Sequence, residues 1–117
     1  MVYEYTSLDG IKILVGENAK DNQQLTFSSD PTYWWMHATG KPGPHVVICH
    51  SGDELPRETK RDAMHLATKT SGLVTITRVG FVSKTRMTGK VLVDEGTSTN
   101  IYVKIDPSRI SHLKVSV

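Results

Sequence analysis

The chain has few of the features on which secreted and membrane proteins depend. Its 117 residues include one cysteine, Cys49, which excludes an internal disulfide framework and a cysteine-based zinc finger. No apolar stretch approaches the roughly 20 residues of a membrane span. Residues 1–10 contain two carboxylates and no apolar run of the kind that marks a secretory signal. We therefore expect a cytoplasmic protein with no membrane partner, folded as one domain over residues 1–117.

Neither sign of charge is in large excess, since the formal net charge is only +2. The charges are nevertheless unevenly distributed. Residues 1–56 have three basic and seven acidic side chains, residues 57–90 have eight basic and two acidic, and residues 91–117 are balanced. A basic central third is typical of a surface that binds a polyanion, although a solvated, salt-bridged surface gives the same pattern.

The hydrophobic pattern predicts an α+β fold, with a mostly antiparallel sheet of about six strands, one main helix and one short helix. Strands are predicted at residues 2–7, 12–15, 33–38, 45–49, 73–79, 90–94 and 101–105. The short helix is expected within residues 18–27, and residues 108–112 suit one further helical turn. The main helix is predicted to begin at Pro56 and to end at Gly72 as a left-handed residue after the cap. Residues 80–89 are predicted to form a loop, and residues 95–100 a turn that joins the last two strands.

Two histidines are the clearest candidates for chemistry. If residues 40–43 form a turn, His37 and His45 face one another across two strands. With Lys41 they could carry out general acid–base cleavage of RNA, or they could orient the turn by hydrogen bonding. The spacing of the histidines does not complete a zinc site, and no phosphate-binding or dinucleotide-binding glycine motif is present. No cofactor is therefore expected.

Four cations in the segment from residue 78 to residue 90 are candidates for binding phosphates: Arg78, Lys84, Arg86 and Lys90. Lys41 is expected beside them. An exposed tryptophan could add base stacking. Trp34 and Trp35 are adjacent on a predicted strand, so they point to opposite faces and one of them is expected in the core.

Several segments, in chain order, together resemble the NFACT-R domain, which forms the C-terminal part of ribosome-associated quality-control factors and was formerly a domain of unknown function. The matching segments are residues 13–22 (ILVGENAKDN) with Leu25-Thr26, residues 35–37 (WMH), residues 42–48 (PGPHVVI), the alanine-containing helix of residues 63–71, and Thr77-Arg78-Val79 with Lys84 and Gly89-Lys90-Val91. The likeness spans about residues 3–110. Pro44 stands where the family usually has serine, and the basic loop of residues 84–90 is shorter and less basic than the family's.

The resemblance implies a non-catalytic RNA-binding module that binds tRNA or rRNA in translation or ribosome quality control, with the ribosome or a ribosome-associated protein as a further partner. In this interpretation Lys84, Arg86, Lys90, Arg78 and Lys41 contact nucleic acid, and His37, His45 and Trp34 line the site. Trp35, Gly43, Asn18 and Asn22 are structural. A module that docks on a ribosome-associated protein is the first alternative, and a small histidine-dependent ribonuclease is the second.

Overall fold

The structure is a computed structural model that describes residues 1–113, 115 and 116, and it has the predicted α+β architecture. The strands are β1 (Tyr3–Thr6), β2 (Lys12–Val15), β3 (Trp34–Ala38), β4 (Val46–Ile48), β5 (Gly72–Arg78), β6 (Val82–Lys84), β7 (Val91–Val93), β8 (Thr99–Val103) and β9 (Val115–Ser116). The helices are α1 (Ala19–Ser28), α2 (Arg57–Ala67) and α3 (Pro107–His112). No helix in the described part of the chain is long and apolar enough to cross a membrane.

Seven strands form one antiparallel sheet in the order β8-β5-β3-β4-β2-β1-β9, and β6 pairs with β7 in a separate hairpin. Six of the seven strands have three or more residues, which confirms the predicted sheet of about six strands. The two longest pairings, β3 with β5 and β5 with β8, place the sequence-distant residues His37, Thr75 and Asn100 side by side.

Both faces of the sheet are covered by other elements. Successive side chains of its central strands point to opposite faces, and those on each face are buried. Met36 and Val46 point to the α2 side and join a cluster that includes Ala63 and Ala67 of that helix. Trp35 and Val47 point to the opposite side and pack with Leu25 of α1 and with residues of the β6–β7 hairpin. The sheet is therefore the middle layer of the molecule, and α1 and the hairpin share its second face.

The prediction that the main helix ends at Gly72 is wrong. Helix α2 ends at Ala67, where Thr68 takes an extended backbone and its N–H donates to the Met64 carbonyl (3.2 Å). The Thr68 hydroxyl then donates to the Thr70 carbonyl (2.8 Å), so a turn held by this threonine ends the helix. Gly72 has no positive φ and is the first residue of β5.

The prediction of an unbroken loop at residues 80–89 is also wrong, because residues 82–84 form β6 and pair with residues 91–93. The two strands predicted after this loop are present as β7 and β8, but they belong to different sheets, since β8 pairs with β5. The predicted short and main helices are α1 and α2, and α3 lies at the helical turn expected at residues 108–112.

Candidate functional site

An open cleft of about 970 Å³ lies on the α1 side of the sheet. Its lining includes the turn of residues 39–44, the start of α1 and the loop of the β6–β7 hairpin. The floor consists of side chains from β3, β5 and β8. Eight of the residues singled out from the sequence line this cleft: Asn18, Asn22, Trp35, His37, Lys41, Gly43, His45 and Lys90.

His37 and His45 face one another at one end of the cleft, as the sequence predicts. Their ring centroids are 5.4 Å apart in an edge-to-face arrangement. His45 is only 1% exposed, and its Nδ1 lies 2.8 Å from the Thr26 hydroxyl. That hydroxyl also accepts a hydrogen bond from Trp35 Nε1 (3.1 Å). Thr26 thus joins the Trp35 indole and the His45 imidazole in one buried hydrogen-bonded set.

Burial, together with repulsion from the neighbouring His37 imidazole, lowers the pKa of His45 to about 4. Burial also lowers the pKa of His37. Both imidazoles are therefore neutral at neutral pH. They contribute hydrogen bonds and ring contacts to the cleft wall but no positive charge.

Asn22 holds the residue 43–45 segment against α1. Its side-chain oxygen accepts from the His45 backbone N–H (3.1 Å), and its Nδ2 donates to the Gly43 carbonyl (3.4 Å). Asn18 caps the same helix by accepting from the Asp21 N–H (2.9 Å). One asparagine thus begins the helix, and the other, one turn later, connects it to the cleft wall.

The hairpin loop is attached to the same helix through Gly89. This glycine has a φ of +79°, and a Cβ there would lie 2.7 Å from the Ala19 Cβ. Its N–H donates to the Gln23 side-chain oxygen (2.9 Å). Lys90 consequently lines the cleft, whereas Lys84 lies 5.1 Å over the Phe27 ring and Arg86 is exposed at the hairpin turn. Lys84, Arg86 and Lys90 share one hairpin, whereas Lys41 lies in the turn of residues 39–44.

The structure does not bring Arg78 or Trp34 to the cleft. Trp34 pairs with Arg78 across β3 and β5, and both point to the α2 side. The Arg78 guanidinium stacks 3.9 Å from the Trp34 ring centroid and donates to the carbonyls of Thr32 (2.8 Å), Ser51 (3.2 Å) and Gly52 (2.9 Å). Its donors are occupied by two loops, which gives it a structural position rather than one open to phosphates.

Replacing Arg78 should therefore affect stability. Arg78→Ala removes a stacked cation and three charge-assisted hydrogen bonds, and we expect a loss of about 1–3 kcal/mol in the free energy of unfolding. Arg86→Ala, which removes an exposed arginine, should change it by no more than about 0.5 kcal/mol. Urea unfolding of both variants checks this, and equal stabilities would contradict the structural role of Arg78.

A row of polar side chains on the cleft floor is absent from the sequence-based predictions. The Thr39 and Thr75 hydroxyls are 2.8 Å apart, and Thr75 donates to the Asn100 side-chain oxygen (2.9 Å). Alternation along β5 could have placed Thr75 on this face. The sequence does not assign Asn100 to this face, because the last strand is predicted to begin at residue 101 and residue 100 then falls in a turn.

The described residues contain no group of three or more histidine, cysteine, aspartate or glutamate side chains that could hold a metal ion. Two carboxylates, Glu17 and Glu95, line the cleft. Glu17 accepts hydrogen bonds from the terminal amine (2.9 Å) and from the Tyr3 hydroxyl (2.9 Å).

Comparison with known proteins gives two relatives from Streptococcus suis. The chain is 43% identical over 65 residues to the Rqc2 homolog RqcH, a match that covers 54% of this chain and 12% of that protein. The fold is similar to the solved structure of the C-terminal of the fibronectin/fibrinogen-binding protein, with a TM-score of 0.85 and 27% identity over 97% of this chain and 49% of that one. The chain thus spans about half of the solved relative and a much smaller part of RqcH. No family model matches the chain.

Proposed function

We propose that the chain is a non-catalytic RNA-binding module of the NFACT-R type, which binds tRNA or rRNA in ribosome quality control. The observation that carries the proposal is the β6–β7 hairpin. It presents Lys84, Arg86 and Lys90 without an intervening carboxylate, and Gly89 fixes its loop against α1. Lys41 lines the same cleft as Lys90.

The three hairpin cations are available to an external anion. Among the described residues, none of them has a carboxylate oxygen within 4.0 Å, whereas Arg109 and Lys12 are paired with carboxylates. The cleft itself is of mixed charge, since its lining includes Glu17 and Glu95 as well as Lys41 and Lys90. Phosphate attraction would therefore come mainly from the exposed side of the hairpin, and the cleft would hold and orient the bound chain.

The buried histidine supports a binding role rather than RNA cleavage. General acid–base catalysis requires groups that reach the substrate and that titrate near the working pH. His45 is enclosed, its Nδ1 is bonded to Thr26, and its pKa is lowered to about 4 by burial. His37 alone would have to act as both acid and base.

The relatives support the setting of the proposal. The protein named Rqc2 homolog RqcH belongs to the class of factors in which the sequence resemblance places NFACT-R domains. The solved relative is named for binding fibronectin and fibrinogen, which favours a protein-interaction module as the second candidate function. The two functions differ in whether charge on the hairpin controls binding.

The test is the salt dependence of RNA binding. The wild-type chain should bind a tRNA and a single-stranded RNA with a slope of log K against log salt of about −2 to −4, as expected for three to four neutralised phosphates. Replacing Lys84, Arg86 and Lys90 together by alanine should flatten the slope by roughly two units and weaken binding to both RNAs.

A matched control is available on the other side of the molecule. Arg57, Lys60 and Arg61 lie on α2, across the sheet from the hairpin, so their replacement by alanine removes the same charge from a distant surface. The proposal requires the control variant to keep most of the affinity and slope. An equal loss in both variants would indicate general attraction to polyanions. RNA binding that is absent or independent of salt would shift the weight to a protein partner.

A further inference from the structure

An exposed aromatic side chain lies beside the cleft, on the same face of the sheet and outside the buried core. Tyr102 of β8 is 63% exposed, and its cross-strand partner on β5, Leu73, is 47% exposed. Neither side chain belongs to the two buried clusters of the described residues. Directly opposed residues share a face of a sheet, so the two side chains form one small apolar platform.

The platform lies on the cleft face rather than the α2 face. Thr75 and Asn100 pair with each other and line the cleft floor, and Leu73 and Tyr102 follow two residues further along the same two strands. A separation of two residues keeps the face and moves about 7 Å along the strand. Toward the other end of β5, Thr77 is covered, and its hydroxyl donates to the Thr97 carbonyl (3.3 Å). Exposure on this face of β5 therefore increases from Thr77, which is buried, to Leu73 at the start of the strand.

The groups around the platform are suited to a planar ligand with polar edges. The Asn100 side chain lines the cleft, and because its oxygen accepts from Thr75, its amide nitrogen remains as a donor of up to two hydrogen bonds. Lys41 does not share this face, since its Nζ lies 3.8 Å from where a Cβ of Gly72 would stand, and that Cβ would point to the α2 side of β5, opposite to Leu73. An aromatic face and an amide donor thus lie side by side on the cleft side of the sheet.

We propose that Tyr102, supported by Leu73, stacks on one unpaired nucleobase of the RNA, while Asn100 donates to the edge of that base. The inference rests on the proposed function and adds the class of RNA that is bound, namely RNA with an accessible unpaired base. Duplex RNA does not offer a free base face, so this site would select single strands, loops or ends. Stacking would add affinity that depends little on salt, unlike the phosphate contacts of the hairpin.

The experiment compares two polymers of equal length, an oligouridine and an abasic oligomer that keeps the phosphates and riboses but has no bases. Uridines stack poorly on one another, so their bases are free to bind. The wild-type chain should bind oligouridine roughly five- to hundredfold more tightly than the abasic oligomer. Tyr102→Ala should bind both polymers equally, at the abasic level and with an unchanged salt slope.

Three further variants make the result specific. Tyr102→Trp keeps an aromatic face and should retain the preference for bases, whereas Tyr102→Leu keeps a large strand side chain and should lose it. Phe81→Ala removes another exposed aromatic, 43% exposed and outside the cleft, and should leave the preference unchanged.

The possible failures are distinguishable. Equal wild-type affinity for both polymers, with both affinities lost in the Lys84, Arg86 and Lys90 variant, would overturn stacking and leave the proposed function standing. A loss of both affinities in Tyr102→Ala would also overturn it, because the tyrosine would then not discriminate bases. Binding to neither polymer nor to any RNA would end both proposals and leave the platform as a surface for a protein.

Discussion

Gly16→Ala should cost about 3–5 kcal/mol in the free energy of unfolding, a large part of the stability of a small domain. Gly16 is buried between β2 and α1, and a methyl group there would lie 2.0 Å from Asn22 Oδ1 and 3.0 Å from the Asn22 backbone nitrogen. The side chain of Asn22 would have to move. The His45 N–H and the Gly43 carbonyl would then lose their partner.

Urea unfolding measures this loss, and a double variant tests its cause. Asn22→Ala alone should cost about 2–3 kcal/mol, because it leaves two buried polar groups unpaired. Combining it with Gly16→Ala should cost less than the sum of the two single variants by at least about 1 kcal/mol, since the main clash is gone. Additive losses would contradict the proposed contact between these two residues.

Gly43 provides the control. A Cβ at this position would meet the Ala67 carbonyl at 3.6 Å and the Ala38 Cβ at 3.9 Å, which are ordinary contacts. Gly43→Ala should therefore cost no more than about 1 kcal/mol. The structural role implied for Gly43 by the family resemblance then depends on its carbonyl, which accepts from Asn22, rather than on its missing side chain.

The parts of this site that could be predicted from sequence are those set by local periodicity. Alternation along one strand is enough to place Trp34 and Trp35 on opposite faces, and a turn at residues 40–43 is enough to bring His37 to His45. The α+β class follows from the same short-range patterns. Each of these inferences involves residues that are close in the chain.

The remainder depends on contacts between distant segments. Whether Arg78 is free depends on carbonyls at Thr32, Ser51 and Gly52, which no local pattern connects to it. Strand β6 has only three residues and pairs across a loop with equally short β7, so its pattern resembles a basic loop. The end of α2 depends on a single hydrogen bond of Thr68, and glycine four residues later gave the more familiar stop signal.

The pH dependence of stability should reveal the enclosed imidazole. The pKa of His45 is lowered by burial to about 4, from 6.5 in an exposed chain. As the pH falls below 6.5, the His45 imidazole is protonated in the unfolded chain but stays neutral in the folded chain. The folded state therefore loses stability until about pH 4. The contribution of His45 to the free energy of unfolding is thus fully present above pH 6.5. By pH 4 it has fallen by about 3 kcal/mol. Burial of His37 acts in the same direction.

Urea unfolding from pH 7 to pH 4, with His45→Asn as the reference, isolates this contribution. The asparagine oxygen can accept from the Thr26 hydroxyl but does not titrate, so the variant should be less stable than the wild type at pH 7 and should approach it as the pH falls. The His45 ring resonance should also report a neutral imidazole until close to pH 4. A stability difference that stays constant with pH would mean that His45 titrates normally. His45 would then be available as an acid or base near neutral pH, and this result would favour the ribonuclease alternative.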